Sequence, residues 1–130
     1  MSDDEFLEAL ARCTLPETEF GHRQHVRLAY LLLRQHDLYS AMRTARTLLS
    51  SFAASLGRAD RYHETITMAF VVAIHARIEE TGDRESWPAF AAANPDLLDK
   101  SFLRRHYDAH ELGAPGARRY FVLPERAVAP

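Results

Sequence analysis

One cysteine, one lysine and no apolar run long enough to cross a bilayer set the first limits on this chain. With Cys13 alone, no disulfide can form within the chain and no thiolate-rich zinc site can be built, which fits a reducing, cytoplasmic setting. The longest unbroken apolar stretches, residues 28–33 and 68–74, fall far short of the ~20 residues a membrane helix needs. The opening MSDDEFLEAL is acidic and lacks the basic-then-apolar pattern of a signal peptide. Formal net charge is only −2, so there is no bulk electrostatic case for nucleic acid or an anionic membrane. A Gly-rich phosphate loop, a Rossmann fingerprint and a nucleophile elbow are all missing. Lys100 is the only lysine, so positive charge comes almost wholly as guanidinium, which suits bidentate binding of carboxylates or phosphates.

What is present is ordinary for a globular protein: 130 residues, 47% hydrophobic and 26% charged. That length predicts one domain over 1–130 with a single core. Apolar residues recur at helical spacing, and no strand-hairpin series or internal repeat is visible. Ser2 can cap a helix over 3–12, with acids in its first turn favouring the helix dipole. Further helices are expected over 22–36, 39–56, 63–80 and 86–93, and another over 97–107. Gly57 marks the end of the third and Gly82 that of the fourth. Residues 110–130 read as a Gly/Pro-interrupted extended tail whose Tyr120-Phe121-Val122-Leu123 patch packs back on the helices. The expected architecture is all-α: a compact antiparallel bundle of about five to six helices with an irregular C-terminal tail.

The chemistry-bearing feature is a set of histidines. His22 and His25 lie in FGHRQHVRLAY, three residues apart and so neighbours on one helix face. His63 and Glu64 lie in RYHETITMAF at the start of another helix. At ~100° per residue, His63 heads a stripe with Thr67, Phe70, Ile74 and Ile78, while Glu64 is turned away from it. If the second and fourth helices run parallel in an up-down-up order, both clusters sit at one end of the bundle. Three neutral imidazoles from two helices, with open positions for water or substrate, would suit a divalent transition metal: Fe, Cu, Zn or Ni. Glu64 would then serve as base or as a partner orienting a ligand, with Arg61, Tyr62 and Thr67 lining the same pocket. The competing reading is that these imidazoles only cap and orient helices. His75, ~18 Å along the axis from His63, cannot share its metal. His36, His106 and His110 read as structural or exposed, and Cys13 as a small buried hydrophobe.

The strings FGHRQHVRLAYLLL and FAASLGRADRYHETITMAFV, with ANPDLLDK and ARRYFVLPE later, resemble a family of short, helical, uncharacterised bacterial proteins marked by HRxHVRLAY and RYHETIT signatures. The resemblance covers roughly residues 5–126 and implies that His22, His25, His63, Glu64 and Thr67 belong to the shared pattern. It implies no reaction, and RRHYDAHELGAPG departs from the family's run. The arrangement is also similar in kind to the three-histidine helical bundles of the DNA-damage-inducible superfamily, which hold a divalent metal near one bundle end. Likeness of architecture does not carry function across.

Two functions therefore stand as expectations. The first is a small metal-dependent enzyme acting on a small polar metabolite, by hydrolysis or elimination through metal-bound water or by oxidative chemistry. The second is a non-catalytic helical module binding a metabolite or a protein, with structural histidines. A small-molecule substrate is expected, with no nucleic acid and no membrane, and a homodimer is compatible with the pattern on the second and third helices.

Overall fold

Local side-chain bonds decide where the helices start in the computed structural model, which describes residues 1–125. The Ser2 hydroxyl accepts from the Glu5 amide while the Glu5 carboxylate accepts from the Ser2 amide, and α1 follows as Asp3–Ala11. Gly21 precedes α2 (His22–Gln35), with the Gln24 side chain accepting from the Gly21 amide at 2.9 Å. Asp37 caps α3 (Leu38–Ser55), and the His63 ring caps α4 (Glu64–Thr81). Ser86 caps α5 (Trp87–Ala93), whose second residue is Pro88. Two five-residue helices, α6 (Ala109–Gly113) and α7 (Pro115–Arg119), and 3-10 turns at Glu17–Glu19, Ala59–Arg61 and Lys100–Arg105 complete the chain. Among the described residues there is no strand, and the protein is an all-α bundle.

Helix α4 sits at the centre, packed against α2, α3 and α7. Its buried residues are Glu64, Thr65, Met68, Phe70, Val71 and Ile74, which spread around the helix rather than along the single stripe headed by His63. The core joins these to Phe6 and Leu10 of α1, to Val26, Leu28 and Tyr30 of α2, and to Phe90 of α5. Ile74, Leu10 and Phe90 are fully enclosed, each worth about 1.5–3 kcal/mol by transfer from water. No helix of the described residues is long and apolar enough to cross a membrane.

Three sequence expectations change. The helix over 97–107 shrinks to the 3-10 turn Lys100–Arg105, because Asp99 caps it through the Ser101 amide and Tyr107 is drawn into the core. Residues 110–130 are not uniformly extended: Asp108 and Glu111 form a reciprocal cap that nucleates α6, and Pro115 starts α7. Residues 126–130 lie outside the described residues. The run after α7 does return to the bundle, but through its backbone. The buried Thr65 hydroxyl donates to Tyr120 O (3.0 Å) and accepts from Val122 N (3.1 Å), and the Tyr107 hydroxyl donates to Val122 O (2.6 Å). The side chains of Tyr120, Phe121 and Leu123 stay exposed. Cys13 is half-buried rather than enclosed and takes φ +57 just past α1, the left-handed position that usually ends a helix on glycine.

Candidate functional site

The α2 and α4 N-terminal ends meet beside the C-terminal end of α3, and a cavity of about 500 Å³ opens between them. Such a volume lies in the range of small-molecule sites. His22, His25, His63, Arg61, Tyr62 and Thr67 all line it. Seven site residues were picked from sequence, and only Glu64 is not among those lining it.

The three imidazoles differ in what they have left to offer. The His22 Nε2–H donates to Leu97 O at 3.0 Å, which leaves Nδ1 as the acceptor nitrogen. The His25 Nδ1–H donates to Gly21 O at 3.0 Å, which leaves Nε2. His63 has nothing left: Nδ1 accepts from the Ile66 amide at 3.1 Å, and Nε2–H donates to Leu112 O at 2.7 Å. His63 is thus committed through both nitrogens, as the cap of α4 and as a tie to α6. Its role as a metal ligand would require it to release the helix terminus. Each of the other two has an aromatic neighbour: His22 lies against Phe70 (4.8 Å between ring centres), and His25 against Phe20 (4.3 Å). Among the described residues, no three His, Cys, Asp or Glu side chains are grouped to hold a metal ion. The donor set on this end of the bundle therefore falls short of the three protein ligands a catalytic zinc keeps.

Glu64 points away from the cavity. Arg46 of α3 grips its carboxylate through Nε (3.0 and 3.1 Å) and through Nη2, and the Tyr62 hydroxyl donates to Oε1 at 2.6 Å. Burial acts to raise the Glu64 pKa, but the bonds from Arg46 and Tyr62 outweigh it and hold the carboxyl below its usual range. A carboxylate so committed is a poor general base. Burial and the Glu64 charge together push the Tyr62 phenol well above its ordinary value, so Tyr62 stays protonated. Tyr62, tied through Glu64 to Arg46, accordingly forms a fixed part of the cavity wall. Sequence gave no signal for Arg46, because it sits on the exposed side of α3 with no periodic or motif context.

His25 lines the cavity and is exposed to solvent. Desolvation lowers its pKa, and the bond to Gly21 O only partly offsets this. For a histidine lowered on folding, stability is complete above the unfolded value of ~6.5 and is lost as pH falls through the window below it. Urea unfolding from pH ~7 to ~5 is expected to show this loss in the wild type and a flatter dependence in His25→Gln. Equal slopes in the two proteins would show that His25 titrates as it does when unfolded.

No family model, curated protein or solved structure matches the chain.

Proposed function

We propose that this chain binds a small molecule in the cavity between α2, α3 and α4, with His22 and His25 contacting its polar part. The observation that carries the reading is the pairing of a cavity of about 500 Å³ with two imidazoles that each keep one unengaged nitrogen. Each ring is held in a single tautomer by a backbone carbonyl, so the free nitrogen is presented at fixed orientation without cost on binding. His25 Nε2 suits accepting a proton from a bound molecule, since the ring is neutral near pH 7.

The metal-dependent reading retains one observation in its favour. Metal-ligating imidazoles characteristically donate their second nitrogen to a carbonyl, as His22 and His25 do here. A third ligand would have to come from His63 after loss of its bond to the Ile66 amide, or from the bound molecule.

Two measurements separate these readings. An uncharged fluorophore, N-phenyl-1-naphthylamine, is expected to bind the wild type with blue-shifted emission and to be displaced from Ala53→Phe, which fills the cavity. Equal binding by both proteins would remove the cavity from consideration. Elemental analysis of protein purified without a histidine tag is expected to find substoichiometric transition metal. Stoichiometric metal, lost in both His22→Ala and His63→Ala, would instead establish the metal-dependent reading.

A further inference from the structure

The cavity is graded in polarity from floor to rim. The lining residues that are buried are mainly apolar: Leu28, Ala29, Ala45, Leu49, Phe52 and Val71. The single buried polar group on that floor, His63, has both ring nitrogens engaged and offers a ligand nothing. The charged lining residues are the less buried ones: Arg58, Arg61 and Lys100 against, among the described residues, a single carboxylate, Glu17. Glu17 is paired with Arg58, which leaves Arg61 and Lys100 without a side-chain partner among the described residues. The rim therefore carries an excess of positive charge on a protein whose formal net charge is −2. Lys100, the only lysine of the chain, stands here, on the 3-10 turn that begins three residues after the Leu97 carbonyl bound by His22.

We infer that the occupant is an anionic amphiphile, an apolar aliphatic or aromatic body ending in one carboxylate or similar oxyanion. This rests on the reading of the cavity as a ligand site. The body lies on the apolar floor, because a charge taken there would be desolvated with no partner. The oxyanion stays at the rim between Arg61 and Lys100, where guanidinium and ammonium donors meet it and water still reaches it. His25, which also lines the cavity, keeps Nε2 to accept from a hydroxyl or amide on the ligand where one is present.

Calorimetric titration of the untagged full chain with octanoate, octanol and octylamine tests this. These share one apolar body and differ only in the head. Octanoate is expected to bind roughly tenfold tighter than octanol, about 1.4 kcal/mol, and octylamine more weakly than either. In Arg61→Gln/Lys100→Gln the octanoate preference over octanol is expected to fall to within about twofold, as it also should in high salt. Both substitutions are on exposed side chains and leave the core intact. Equal binding of octanoate and octanol by the wild type would overturn the anionic inference while leaving the cavity a ligand site. An octanoate preference that survives the double substitution would overturn the assignment of the rim. Failure of all three to bind would overturn the inference, and uptake of the uncharged fluorophore would then show whether the cavity reading falls with it.

Discussion

His63→Ala is expected to lower the unfolding free energy by about 2–4 kcal/mol, the largest loss of any single histidine in the chain. Two separate terms add. Removing an N-cap costs ~1 kcal/mol, and α4 is the helix about which the bundle is packed. Losing the Nε2–H donor leaves the part-buried Leu112 carbonyl unpaired, worth about 1–3 kcal/mol. His63→Asn separates them: its short side chain restores the cap but cannot reach Leu112, so it should recover about 1 kcal/mol. Urea unfolding monitored through the buried Trp87 measures all three proteins. If His63→Ala were as stable as the wild type, the two ring bonds would carry no net energy and the imidazole would be free for ligand or metal chemistry.

Arg46→Ala is expected to cost about 2–3 kcal/mol at neutral pH, although Arg46 itself is half exposed. The ion pair as such is screened by solvent and worth little. The cost arises because the Glu64 carboxylate, 7% exposed, is left with the Tyr62 hydroxyl alone. Arg46→Ala/Glu64→Gln should therefore be more stable than Arg46→Ala. The pH dependence gives an independent check. In the wild type Glu64 is lowered on folding, so its contribution is present above the unfolded carboxyl value and is lost as pH falls through it. Without Arg46, burial disfavours the Glu64 carboxylate with only the Tyr62 bond against it, and that penalty is relieved on acidification. The gap between wild type and Arg46→Ala should accordingly narrow as pH drops from ~7 toward ~4. A gap that stays constant would mean that Glu64 is not the source of the loss.

The sequence was legible where a local signal controls the outcome. Ser2, Ser86, Gly57 and Gly82 mark helix ends by their own side-chain or backbone chemistry, and those ends fall within a residue or two of the spacing-based reading. The up-down-up order of α2, α3 and α4 followed from short connections, and it brought His22, His25 and His63 to one cavity. What could not be read was which atoms those rings engage. The partners of His22 and His63 are backbone carbonyls 75 and 49 residues away, in segments whose helical signal was weak. The partner of Glu64 is equally distant: its carboxylate is held by Arg46 across the helix pair, and nothing local announces that.

The C-terminal run is fastened to α4 by main-chain groups that meet one hydroxyl, that of Thr65, and the phenol of Tyr107. Its own large side chains face outward. Positions 121 and 123 are thereby released from fastening the run, so their identities can drift or be recruited for surface roles while the path of the chain stays put, whereas the Tyr120 ring still lies over Gly116. The constraint falls instead on the partners, and at 122 on the amide itself, where proline is the one residue with no N–H to give.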